Sequence, residues 1–130
     1  MNTFSSLFQS FSYALRGLKF VYTHEKNFRR ECFFALLVFI SLFILPFSRF
    51  EVILLIFLCG FVLMLEMVNS IGEHFLDLIK PRLSYQVQTL KDLLAGAVLI
   101  SVFLSVIVGC LIYIPVLIEY LGQFMVQYPN

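Results

Sequence analysis

The chain has 130 residues, 61% of them hydrophobic and 13% charged, with 16 Phe, no Trp and a mean hydropathy of +0.95. A water-soluble domain of that length needs far more polar surface to cover one small core, so the excess apolar side chains face lipid. A formal net charge of +1 excludes the general surplus of Lys and Arg on which nucleic-acid binding rests.

In chain order, the first element is a two-faced helix. Phe4, Leu7, Phe8, Phe11, Leu15 and Leu18 recur at three- and four-residue spacing, while Ser5, Gln9, Ser12, Arg16 and Lys19 lie mostly elsewhere. That pattern predicts, within residues 1–30, an amphipathic helix and turn on the membrane surface, on the protein's own spans, or on both. The start, Met1-Asn2-Thr3-Phe4, lacks a basic stretch before an apolar one, so no cleaved signal peptide is expected.

Three membrane spans follow. From Cys32 to Ser48 run 17 uncharged residues, with Pro46 ending the helix. From Val52 to Leu65 run 14, about 21 Å of helix and too short to cross a hydrocarbon core of about 30 Å. The second span must therefore continue through Glu66 to residue 70, which sets that carboxylate at the membrane boundary. From Leu93 to Ile118 run 26 uncharged residues, closed off by Pro115 and Glu119, giving a third span over 93–117 and a tail over 119–130. The expected fold is an all-α integral membrane protein of one domain: three transmembrane helices, 32–48, 52–70 and 93–117, plus the surface helix. Cys32, Cys59 and Cys110 lie in separate apolar runs without His, Asp or Glu at metal-ligand spacing, so neither a disulfide framework nor a zinc site is expected. Ala97, Ser101, Ser105 and Gly109 form a small-residue stripe suited to close helix packing within or between subunits.

Eight of the nine Lys and Arg residues, including Lys80, Arg82 and Lys91, fall in the two flanks that share a side, with Arg49 opposite. The positive-inside rule puts the N-terminus in the cytoplasm and the C-terminus outside.

The chemistry concentrates on that cytoplasmic side. At about 100° per residue, Glu66, Glu73 and Asp77 share one helix face, with Asn69 and Ser70 beside them. Stacked like charges near lipid are costly unless a cation, a base or a proton offsets them. Several carboxylates, an amide and nearby Lys suit a divalent cation held with phosphate. No Walker A motif and no Gly-x-Gly-x-x-Gly is present, so a nucleotide would be held through metal-bridged carboxylates and basic side chains. The same acids would also suit a non-catalytic membrane protein, either an assembly factor or a cation- or proton-conducting bundle. Polar residues deeper in the spans are scarce, however.

Glu66-Met67-Val68-Asn69-Ser70-Ile71-Gly72-Glu73, then Asp77, then Lys91-Asp92 leading Leu93-Leu94-Ala95-Gly96-Ala97-Val98-Leu99, resembles the signature of the small prokaryotic diacylglycerol kinases, a family that includes undecaprenol kinases. Tyr13-Ala14-x-x-Gly17 and Glu25-x-Asn27-Phe28-Arg29 match its N-terminal elements, so the resemblance covers roughly residues 10–117. It implies a homotrimeric kinase of the bacterial inner membrane that transfers the γ-phosphoryl group of MgATP to the hydroxyl of a membrane lipid, diacylglycerol or undecaprenol. By position, the resemblance makes Glu66 the general base, with Glu25 and Glu73 holding Mg2+ and Asn69, Asp77, Lys91 and Asp92 completing the catalytic and nucleotide shell. Tyr13, Gly17, Arg29 and Glu31 would line the entrance, the first two toward ATP and the last two toward the lipid. The sequence departs from the family pattern at Ile71-Gly72 before Glu73 and at Leu90 before Lys91.

Overall fold

A computed structural model of the chain describes residues 3–79 and 84–127, with side chains described over 6–79 and 84–123. Among the described residues the regular structure is four helices, α1 (Thr3–His24), α2 (Lys26–Ile44), α3 (Arg49–Ile79) and α4 (Tyr85–Gln127). Lys80, Arg82, the Phe4 side chain and the end of the expected 119–130 tail lie outside the described residues.

Local chemistry sets the breaks. Glu25 alone interrupts the chain between α1 and α2, in an extended conformation (φ −99°, ψ 114°). The Arg29 guanidinium turns back to donate to the carbonyls of Tyr22 and Thr23 at 3.1 and 3.0 Å, satisfying acceptors that the end of α1 leaves open. At the other end of α2, Leu45 is extended (φ −100°, ψ 145°), as steric conflict with Pro46 demands. Ser48 and Glu51 then start α3 with a reciprocal capping box: the Ser48 N–H donates to Glu51 Oε2 at 2.7 Å and the Glu51 N–H to Ser48 Oγ at 3.4 Å. Ser84 caps α4, its Oγ accepting from the Val87 N–H at 3.3 Å.

The helices outlast the apolar runs from which they were predicted. α2 begins at Lys26 rather than 32, and α3 runs on to Ile79. Pro115 does not close α4, which continues through Glu119 as a helix of 43 residues. An apolar run marks the stretch that lipid solvates, whereas a helix continues into water wherever its residues tolerate it. In a long apolar helix, one proline removes a single backbone bond while those on either side persist. Among the described residues, α3 and α4 are long and apolar enough to cross a membrane. α2 has 19 residues, about 28 Å of helix, and carries Lys26, Arg29, Arg30 and Glu31 in its first two turns.

α3 packs most extensively on α4, next α2 on α3, then α1 on α2. Among the described residues the buried apolar side chains are few: Val21, Phe28, Leu55, Val62, Val87, Ile112 and Val116. On α1, the predicted apolar stripe of Leu7, Phe8, Phe11, Leu15 and Leu18 is exposed, and among its described side chains only Val21 near its end is buried. Of the small-residue stripe, Ser101 is buried against the bundle.

α2 and α4 meet through a polar rung, in which Tyr113 Oη hydrogen-bonds Ser41 Oγ and the Ser41 hydroxyl donates to the Val38 carbonyl at 2.6 Å. Phe47 covers the rung edge-on, 5.1 Å from the Tyr113 ring centre. Hydrogen bonds between membrane helices contribute about 0.6 to 1.7 kcal/mol, so Tyr113→Phe should lower stability in detergent by about that amount. An unchanged unfolding midpoint would assign the rung no stabilising role.

Candidate active site

The acidic face of α3 is a ladder rather than a cluster, because Glu73 and Asp77 stand about 10 and 16 Å beyond Glu66 along the helix axis. Burial falls along it. Glu66 is 2% exposed and Asn69 7%, Glu73 is half-buried, and the Asp77 side chain is 63% exposed.

The turn at Glu25 folds α2 back so that its first turns face this ladder. The Glu66 carboxylate meets the Asn27 side chain and lies within electrostatic reach of Glu31, Glu73 and Glu25. Asn69 Nδ2 donates to Glu73 Oε1 at 3.0 Å, which leaves Asn69 Oδ1 buried without a partner among the described residues. Ser70, 3% exposed, donates its hydroxyl to the Glu66 carbonyl at 3.0 Å. One helical turn after Ser70, His74 Nδ1 stands 2.8 Å from the Ser70 carbonyl and 3.9 Å from Glu25 Oε1.

Lys91 reaches across from α4 to Asp77, with Nζ donating to Oδ1 at 2.6 Å. Asp92 accepts from Gln88 Nε2 at 2.9 Å on its own helix and is exposed. The predicted residues on α1 stand apart: Gly17 and Tyr13 are about 12 and 18 Å along the axis from Glu25. Tyr13 accepts from Gln9 Nε2 at 2.7 Å, and the Arg16 guanidinium lies 4.6 Å above its ring. Arg29 serves the α1–α2 corner. Glu31 lines one end of a groove of about 560 Å³ between α2, α3 and α4, with Phe34, Val38, Leu55, Val62 and Val106 along it and Tyr113 at the far end.

The sequence profile of the family described as prokaryotic diacylglycerol kinase matches residues 12–113. The chain belongs to the prokaryotic diacylglycerol kinase family. Its relatives include an undecaprenol kinase from Bacillus subtilis, 34% identical over 114 residues that cover 88% of this chain and 93% of the relative. A diacylglycerol kinase from Synechocystis is 32% identical over 114 residues, covering 86% of this chain and 65% of the relative. A diacylglycerol kinase from Haemophilus influenzae is 38% identical over 73 residues, or 56% and 62% of the two chains.

Membership of this kinase family implies ATP-dependent phosphoryl transfer. Among the described residues, no three His, Cys, Asp or Glu side chains form a group able to hold a metal ion. Mg2+ commonly takes one or two carboxylates and completes its shell with water and phosphate oxygens. Glu73, steadied by Asn69, and Glu25 at the helix break are carboxylates of that kind, and the unpartnered Asn69 Oδ1 is a further oxygen donor.

Two side chains beside these acids carried no role in the sequence reading. Asn27 reaches Glu66 only because the chain reverses at Glu25. His74 follows Glu73 and stands four residues after Ser70, and that spacing was its one local signal.

Gly72 has a packing reason. A Cβ there would press on Leu94 Cδ1 and stand 3.5 Å from its Cγ, so the Leu94 side chain of α4 fills the space beside this turn. Gly72→Ala requires only the tip of Leu94 to rotate and recovers about 0.5 to 1 kcal/mol of helix propensity. It should leave stability within about 1 kcal/mol of the parent, while Gly72→Leu should cost about 1 to 3 kcal/mol by overpacking. Thermal unfolding of both variants in detergent checks this, and equal midpoints would remove the contact from the account.

Proposed function

We propose that this chain phosphorylates a membrane lipid alcohol at the cytoplasmic surface of a bacterial inner membrane, with Glu66 as the base. The chain is an ATP-dependent lipid kinase by family. The observation that carries the assignment of roles is the buried Glu66 carboxylate, faced by Asn27 and by acids from both α2 and α3. Glu66 takes the proton of the lipid hydroxyl as the oxygen attacks the γ-phosphorus. The new P–O bond forms while the bond to the β,γ-bridging oxygen breaks, and ADP leaves with the electron pair.

Glu25 and Glu73, with Asn69 Oδ1 beside them, would hold the magnesium ion, which supplies charge neutralisation for the phosphates. Asn69 also fixes Glu73. Lys91, held by Asp77 before nucleotide arrives, neutralises charge on the transferring group, and Asp92 and Asp77 complete the nucleotide shell. Phosphoryl transfer needs chiefly positioning and charge stabilisation, and these side chains provide both. Tyr13 and Gly17 on α1 belong to the nucleotide entrance and Glu31 and Arg29 to the lipid side, where the apolar groove beginning at Glu31 suits a lipid tail.

In this reading α2 is the third span, α1 lies on the cytoplasmic surface with the N-terminus inside, and the C-terminus lies outside. The exposed apolar stripe of α1 and the thin bundle support assembly as a homotrimer, which would cover helix surface that one chain leaves open. The test is transfer of labelled phosphate from MgATP by the purified protein in mixed micelles, with diacylglycerol and undecaprenol offered separately and Glu66→Gln as control. Label in one lipid, absent in the control, is the expected result and names the substrate. Folded protein that labels neither lipid refutes the proposal.

A further inference from the structure

A carboxylate that acts as a base has two oxygens and must present one of them to the substrate hydroxyl. Glu66 is 2% exposed, and across from it the first turn of α2 brings the Asn27 side chain into hydrogen-bonding contact with its carboxylate. Donors on its own helix are engaged elsewhere: the Ser70 hydroxyl goes to the Glu66 main-chain carbonyl and Asn69 Nδ2 to Glu73.

An amide can offer either of its ends, and here the choice is made by a third residue. Arg30 Nη2 donates to Asn27 Oδ1 at 2.8 Å. A guanidinium only donates and an ionised carboxylate only accepts, so with Oδ1 taken by Arg30 it is the Nδ2 end that serves Glu66. The backbone beneath the amide is fixed as well. Phe28, the next residue, is buried, and Arg29 after it ties α2 to the Tyr22 and Thr23 carbonyls at 3.1 and 3.0 Å. Asn27 itself is exposed, so packing does not account for it. Glu31 follows four residues later on the same face of α2, within electrostatic reach of Glu66. That face therefore sets one neutral donor and one acid against the buried carboxylate.

We propose that Asn27 is a positioning residue: clamped by Arg30, its amide N–H holds one oxygen of the Glu66 carboxylate and leaves the other to take the proton of the lipid hydroxyl. This rests on the role of base given to Glu66 above. A reacting group displaced by about 1 Å loses about 10²-fold in rate, and a glutamate side chain without this contact has that freedom.

The experiment measures initial rates of labelled-phosphate transfer by the full-length protein in mixed micelles, with MgATP and lipid each varied. Asn27→Ala should lower kcat by about 10- to 100-fold and leave KM for MgATP within about twofold of the parent, because the contact acts on the transition state. Asn27→Asp keeps the shape and the acceptor for Arg30 but has no N–H, and should be no faster than Asn27→Ala. Arg30→Ala should give a smaller loss in kcat, and none when added to Asn27→Ala, because Arg30 acts through the amide. A kcat for Asn27→Ala within about threefold of the parent, or a loss confined to KM for MgATP, overturns the proposal. So does recovery of rate in Asn27→Asp, as a purely structural role would give, or additive losses for Asn27 and Arg30. A parent that labels no lipid, or a Glu66→Gln variant that labels it at the parent rate, refutes the proposed function along with it. An active parent that fails in Glu66→Gln but not in Asn27→Ala refutes this inference alone.

Discussion

Glu66→Gln should abolish lipid phosphorylation and leave a protein at least as stable as the parent. Removing a general base costs about 10²- to 10⁴-fold in rate, and the geometry leaves no obvious substitute. Glu73 stands about 10 Å further along α3 and is hydrogen-bonded to Asn69, while Glu31 and Glu25 are on the opposing segment. Folding follows the opposite sign. Glu66 is 2% exposed and shares its surroundings with three other carboxylates. Buried like charges repel without water to screen them, so a neutral amide of the same shape relieves that repulsion. Initial rates in mixed micelles and unfolding midpoints of the same preparations test both halves. More than a tenth of the parent rate in the variant would take the role of base away from Glu66.

Lys91→Met should be the second severe loss, of about 10²- to 10³-fold, the scale expected when one preorganised charge-stabilising group is removed from a transition state. The present partner of Lys91 is Asp77, at 2.6 Å with side-chain exposures of 23% and 63%. A pair this open contributes about 0 to 1 kcal/mol to stability, so the fold should hardly notice its loss. Lys91 of α4 meets α3 near the C-terminal end of that helix, and the carboxylate that holds it would compete with an arriving phosphate. Steady-state kinetics over a range of ATP concentrations should show the loss mainly in kcat/KM. A rate within threefold of the parent would remove Lys91 from the chemistry.

The acidic ladder was legible in the sequence because a helix repeats predictably: Glu66, Asn69, Glu73 and Asp77 are related by arithmetic alone, and the apolar count sent Glu66 to a boundary. The break before Pro46 was legible for a similarly local reason. Where α1 rests was not. Its stripe of Leu7, Phe8, Phe11, Leu15 and Leu18 has a clear period, but a period does not name the surface it meets, and in the chain by itself the stripe stays exposed. The approach of Asn27 to Glu66, the Ser41–Tyr113 rung and the edge-on contact of Phe20 with His74, 5.5 Å between ring centres, were also hidden. Each joins residues from helices whose relative rotation and depth no single segment encodes. Pro115 misled because proline is a strong stop in water and a mild one in lipid.

The groove between α2, α3 and α4 is lined by Phe34, Leu55, Val62 and Val106 and begins beside Glu31, within electrostatic reach of the Glu66 carboxylate. A lipid substrate taking the proposed route along this groove would arrive sideways, by two-dimensional diffusion, without leaving the medium that solvates the enzyme. The concentration the site experiences is then a mole fraction in the surface, independent of the volume of water outside. Dilution with inert amphiphile starves such an enzyme, and dilution with buffer does not. Donor and acceptor thus obey different laws of mass action at one catalytic centre: ATP is counted per litre and lipid per unit of membrane area.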